Sequence, residues 1–279
     1  MWGGIAAAVL GLGIILAMSL GGNEASAKSD AEAMRYGGNG ACAESVTEVL
    51  RDGGQSVRVE SDEDVVTWVM ERQAQVLAAG NTWLHEKLVR QTDNMTQELS
   101  GMESITHRSG VYRAACSFDE VAIVRYLVEV KGMKMTADCL EEAAESSAYE
   151  VCRYIIEGKL LPANELHEAL SDALYEAVEC DARLAGYLLD CGAVIPADKA
   201  ARRLARLCGR DSGRRHDVYS RNQGRGVGPQ TDGEMRNGLT ACARVLVEKL
   251  SVPVTQQHVE RATQSGLPEL AEYLSSRMR

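Results

Sequence analysis

One short phrase recurs along this chain and limits what it can fold into. Arg125-Tyr126-Leu127-Val128-Glu129 returns as Arg153-Tyr154-Ile155-Ile156-Glu157 and as Gly186-Tyr187-Leu188-Leu189-Asp190. It returns again as Arg244-Val245-Leu246-Val247-Glu248 and, truncated, as Glu272-Tyr273-Leu274-Ser275. Anchored on Tyr126, Tyr154, Tyr187, Val245 and Tyr273, the intervals are 28, 33, 58 and 28 residues. Removing the thirty residues from Gly209 to Gly238 turns 58 into 28. The outlier is therefore one normal repeat carrying an insertion. A fixed period of this length is the mark of a repeat architecture.

A second element precedes each next unit. Met135-Thr136-Ala137-Asp138, Leu161-Pro162-Ala163-Asn164 and Ile195-Pro196-Ala197-Asp198 are near copies, and Val254-Thr255-Gln256-Gln257 is a looser one. Thr caps a helix start, and Pro tolerates the first turn, where its missing N–H is not needed. A first helix follows in Leu140-Glu141-Glu142-Ala143-Ala144-Glu145-Ser146, and again in Val259-Glu260-Arg261-Ala262-Thr263-Gln264-Ser265. Small residues at the centres of these helices let neighbours approach closely. Gly132, Gly158 and Gly192 stand where second helices should end, as a C′ residue requires. Each unit thus reads as helix, tight turn, helix, loop. One such hairpin cannot bury its apolar stripe alone, so the units are expected to stack into a solenoid with a shared core. Aromatics at 5%, with Phe118 the single Phe, fit Ala-rich helices better than a β-sandwich.

The units resemble degenerate ankyrin repeats. The likeness lies in Ala143-Ala144-Glu145-Ser146 followed by Glu150-Val151-Cys152-Arg153-Tyr154-Ile155-Ile156-Glu157-Gly158. It recurs from Ala262 to Leu274 and covers residues 110–279. The family's Thr-Pro-Leu-His helix start is absent, and the repeat is shorter than the family's roughly 33 residues. The resemblance implies a module that binds another protein, without catalytic residues. It also implies that the projecting β-hairpin finger is reduced to a loop. No specific contact residue carries over.

Before the repeats, Ser61-Asp62-Glu63-Asp64 predicts a helix start, with a hydroxyl cap and an acid three residues on. That helix should run over about residues 62–79 and stop at Gly80, with Asn81 or Thr82 capping the next. Residues 61–109 are read as N-terminal helices capping the array, with the polar stretch 91–109 as a connection or weak helical continuation. Residues 28–60 read as a Gly/Ala-rich tether.

Residues 1–27 are set apart. No charge occurs from Trp2 to Asn23, and Ala25-Ser26-Ala27 has the small-x-small pattern of a signal-peptidase site. Three readings stay open: a cleaved signal peptide, a retained anchor through residues 1–22, or a buried helix of a soluble fold. The first two make the protein secreted or membrane-associated. Asn94-Met95-Thr96 is a formal glycosylation triplet. The eight Cys show no C-x-x-C pair and sit at apolar helix positions, where a thiol acts as a small buried hydrophobe. Without a compact Cys/His cluster zinc is not called for, while the even count permits disulfides in an exported chain.

Enzyme motifs fail on close reading. His85-Glu86 and His167-Glu168 open like zinc-protease helices, but the second His is missing. Gly224-Arg225-Gly226-Val227-Gly228 lacks the Lys and Ser/Thr of a P-loop. The five His are scattered, and Glu141-Glu142, as adjacent helix positions on outer faces, point apart. No catalytic, cofactor or metal residue is assigned.

The net charge of −10 argues against nucleic acid as a partner. Yet residues 201–225 hold eight Arg and two Asp, a local +6 that leaves −16 elsewhere. The insertion at 209–238, read as a disordered loop, is the candidate partner-binding segment through Arg210, Arg214, Arg215, Arg221 and Arg225. Arg forks suit an anionic partner, whether acidic protein, lipid headgroup or RNA, and the loop has the chain's own acidic surface as a further target. The expected protein is an all-α, ankyrin-like helical-repeat solenoid with an N-terminal hydrophobic segment. Its expected role is that of a non-catalytic protein-interaction scaffold. The alternatives are a self-assembling structural membrane protein and an enzyme with an unrecognised site.

Overall fold

The hydroxyl-and-acid signature at Ser61 opens the first described helix. A computed structural model describes residues 59–101, 105–209 and 232–278. The signal or anchor segment, nearly all of the tether and the five loop arginines Arg210, Arg214, Arg215, Arg221 and Arg225 lie outside the described residues. The described residues form helices joined by turns and loops, with no strand among them.

Helix α1 is Asp62–Ala78, α2 Thr82–Gln91 and α3 Met95–Ser100. Ser61 Oγ accepts from the Asp64 amide at 3.2 Å, and Asp64 Oδ2 accepts from the Ser61 amide at 2.9 Å. Both orphan donors at the helix start are thereby met. Gly80 stops α1 with φ of +76°, and Asn81 Oδ1 caps α2 by accepting from the Leu84 amide at 3.2 Å. The polar stretch after α2 is broken by α3, whose Glu98 has a non-local task. Its carboxylate accepts from Ser109 Oγ at 2.9 Å and from the Gly110 amide at 3.2 Å, capping the next helix from outside.

Five two-helix units follow. They are α4 Gly110–Ser117 with α5 Val121–Glu129, α6 Ala137–Glu145 with α7 Tyr149–Glu157, and α8 Ala163–Ala177 with α9 Ala182–Asp190. The last two are α10 Ala197–Cys208 with α11 Asp232–Arg244, and α12 Gln256–Gln264 with α13 Pro268–Arg277. A π-helical turn, Val245–Lys249, extends α11. Helix α11 takes up residues 232–238, so the tail of the segment expected as a disordered loop is helical. First helices pack on first helices, α4 on α6, α6 on α8, and α10 on α12. Second helices do likewise, α5 on α7, α9 on α11, and α11 on α13. The small residues read at helix centres, Ala143, Ala144 and Ala262, are fully buried, and so are Ala114, Ala115 and Ala173 of the other first helices.

Loops between units share a grammar. Gly132, Lys159, Gly192 and Ser251 each take a left-handed φ. Alternation then follows, with Met133 and Met135 buried about exposed Lys134, and Ala193 and Ile195 buried about exposed Val194. Thr136, Pro162, Pro196 and Thr255 occupy the N-cap positions that the sequence marks. Gly158 departs from its expected role. Its φ is −71°, and Lys159 one residue later adopts +50°. What Gly158 supplies is room: a Cβ there would meet the Tyr154 carbonyl oxygen at 2.6 Å. Asp119, at φ +54° in the α4–α5 turn, reaches into the next unit, where its Oδ1 accepts from the Glu150 and Val151 amides at 2.8 and 3.0 Å. It caps α7 as Asp181 caps α9 locally.

The recurring Tyr and acid meet across units. Tyr154 Oη donates to Glu129 at 3.5 Å, Tyr187 to Glu157 at 3.5 Å, and Tyr273 to Glu248 at 3.2 Å. Each phenol thus binds the acid that ends the previous unit's phrase. At the N-terminal end the cap supplies the acid: Tyr126 donates to Asp62 at 2.7 Å, and Lys131 joins it at 3.1 Å. Two Arg of the phrase lie over the next unit's Tyr, Arg125 at 5.6 Å from the Tyr154 ring centre and Arg244 at 4.9 Å from that of Tyr273, while Arg153 pairs with Glu150 and Glu157 of its own helix. One rung is different. Unit three has Gly186 in place of Arg, unit four has Val245 in place of Tyr, and Lys249 Nζ comes to 3.9 Å from Asp190.

Candidate binding groove

Thr136 sets the start of α6, and that fixes which of its residues share a side. Asp138, Glu141, Glu142 and Glu145 stand at i, i+3, i+4 and i+7, one stripe of a helix. The stripe lines a groove of about 410 Å³, together with His107, Arg108 and Arg113. The sequence reading placed Glu141 and Glu142 on outer faces pointing apart; both in fact line this groove. Adjacent positions are 100° apart on a helix, close enough to flank one cleft when the stripe between them is wide. The stripe spacing would have found them, but pairing only neighbours in sequence hid it.

Charges in the groove are partly answered. Arg113 Nη2 lies 3.1 Å from Glu142 Oε2, and His107 Nδ1 3.6 Å from Asp138 Oδ2. Arg108 Nε faces His107 Nε2 at 3.4 Å. Glu141 is exposed, and its carboxyl pKa is raised, first by burial of part of its surroundings and then by Asp172, Glu176, Asp138 and Glu145. Asp172 and Glu176 belong to α8, so the acidic surface continues onto the next first helix.

At α10 the acidity ends. The Arg203 side chain is 4% exposed and sits between Glu179 at 2.6 Å and Glu176 at 2.7 Å. Its guanidinium lies 3.4 Å from the centre of the Tyr175 ring. Burial pulls the Arg203 pKa down, and the two carboxylates more than reverse this, so it is raised. Glu179 is itself buried, with Arg206 at 3.6 Å.

The groove lining has carboxylates, guanidiniums and an imidazole, and no Ser, Thr or Cys. Its carboxylates offer acceptors to cations and hydrogen-bond donors. Among the described residues no group of His, Cys, Asp or Glu is arranged to hold a metal ion, and no helix is long and apolar enough to cross a membrane. The seven described Cys form no disulfide, and six are buried. Burial pushes the thiols of Cys116 and Cys152 well above their ordinary pKa. Of the other His, His258 Nδ1 accepts from the Thr255 amide at 3.1 Å, a capping part in α12. No family model, characterised protein or solved structure matches this chain.

Proposed function

We propose that this protein is a non-catalytic interaction scaffold. Its units form an ankyrin-like helical solenoid, and its first-helix side receives a Lys- or Arg-rich segment of another protein. The acidic stripe of α6, continued by Asp172 and Glu176 of α8, carries the reading. An incoming ammonium or guanidinium would relieve the crowding of carboxylates around Glu141, and that gain favours binding. Residues 1–27 would hold the scaffold at a membrane or direct its export.

The test is titration of labelled Lys/Arg-rich peptides against the full chain at low and high salt. Binding is expected to weaken with salt, and to fall roughly ten-fold in the combined Asp138→Asn, Glu141→Gln, Glu145→Gln variant. Equal affinity of that variant would remove the groove from the function. The Arg/Gly insertion carries a separate reading, an arm for an anionic partner, on its composition alone. Removing 210–231, which spares α11, should then lower affinity for acidic peptides or anionic vesicles in a salt-sensitive way. Unchanged affinity for both would end that reading.

A further inference from the structure

Asn94-Met95-Thr96 is the one Asn-x-Ser/Thr triplet in the chain, and the fold holds it outward. Thr92 fixes the turn before it: its hydroxyl donates to the Leu88 carbonyl at 2.7 Å and accepts from Gln73 Nε2 at 2.8 Å. Met95, 7% exposed, fixes the residue after it. Between these two anchors Asp93 and Asn94 face water. Asn94 stands at the N-cap of α3, a place where Asn ordinarily caps an amide, yet its side chain caps none. Thr96, in the first turn, is exposed as well. The carboxamide and the hydroxyl that define an acceptor are thus both presented to solvent, and the middle residue is not Pro.

We propose that Asn94 is an N-glycosylation site and that the described helical units face the lumen or exterior. The donor class is an oligosaccharide on a polyprenyl pyrophosphate. The Asn94 carboxamide nitrogen forms a bond to the anomeric carbon. The bond from that carbon to the pyrophosphate oxygen breaks, and polyprenyl pyrophosphate leaves with the electron pair. The nitrogen gives up one proton to a base of the transferring enzyme. This proposal rests on the export reading of residues 1–27. It does not require disulfides: Cys116 and Cys152 are fully buried with raised pKa values, so they persist as protonated thiols in an oxidising compartment.

The experiment expresses the full chain in a eukaryotic cell and reads two quantities, protease protection in isolated microsomes and intact mass before and after an endoglycosidase. The expected result is a protected chain carrying one enzyme-removable glycan. That glycan is lost in Asn94→Gln and in Thr96→Ala and retained in Thr96→Ser. A protected chain without a glycan, or one whose glycan survives Asn94→Gln, overturns the site while leaving export in place. An unprotected, unmodified chain overturns both.

Discussion

The two sides of the helical units use carboxylates in opposite ways. On the second-helix side, Glu129, Glu157 and Glu248 each accept from a Tyr of the following unit, so acid and phenol set the register between neighbours. On the first-helix side, the carboxylates of α6 face those of α8, and partial burial, followed by these carboxylates, raises the Glu141 pKa. Repetition of one phrase therefore settles its charges between neighbouring units on the second-helix side, whereas the α6 carboxylates are only partly answered, by His107 and Arg113. Arg203 marks where the second arrangement stops, because α10 supplies guanidinium to Glu176 and Glu179.

The largest expected effect breaks the contrast at that boundary. Arg203→Ala leaves Glu179, 1% exposed, without its nearest partner. Removing one member of a buried pair costs about 3–5 kcal/mol. Denaturant unfolding measures it, and adding Glu179→Gln should recover part of the loss. A cost under about 1 kcal/mol would show that Arg206 suffices.

Asp119→Ala comes next. It removes the carboxylate that caps α7 across a unit boundary and places Ala at φ +54°. Loss of a cap costs about 1 kcal/mol, and a left-handed non-Gly residue adds about 1 more. Asp119→Asn, which tolerates the backbone and keeps an acceptor, should recover most of the loss. Equal melting temperatures for the two variants would deny the cap its part.

The helical units were legible because their signals are local and periodic. The Tyr phrase, the Thr or Pro starts and the central Ala are each written within one turn or one helix, and the structure places helices there accordingly. What was not legible crosses unit boundaries. Glu98 and Asp119 cap helices 12 and 31 residues away, a reach no capping pattern encodes. Gly158 does stand where α7 ends, but the left-handed position that a C′ glycine ordinarily takes falls to its neighbour Lys159. The groove was missed for a related reason: Asp138, Glu141, Glu142 and Glu145 form a stripe within α6, yet what makes it a site is α8 bringing Asp172 and Glu176 alongside.

A smaller effect probes the ladder. Tyr126 donates to Asp62, and burial, followed by that carboxylate, pushes its pKa up to about 12 from the ordinary 10. The phenol's contribution is therefore full below pH 10 and is lost as pH rises through about 12, since the unfolded chain ionises first. Tyr126→Phe should cost about 1 kcal/mol at neutral pH. It should also make unfolding less sensitive to alkali across that window. A variant with the same alkaline slope as the parent would place the sensitivity in other rungs.

The smallest expected effect has the opposite sign and sharpens the contrast most. Glu141 has a raised carboxyl pKa, so the folded chain holds its proton more tightly than the unfolded one. Its contribution is then most favourable below the ordinary glutamate value of 4.5 and declines as pH rises through the folded value. Glu141→Gln removes the charge outright. Because Glu141 is exposed and screened, the gain at neutral pH is only a few tenths of a kcal/mol. It should vanish in acid, where the parent is protonated too. The same substitution should weaken a basic peptide. A change on the ladder side, such as Glu129→Gln, should instead destabilise the chain and leave peptide affinity alone. Should Glu141→Gln destabilise, its carboxylate would be serving the fold, and the division of labour between the two sides would not hold.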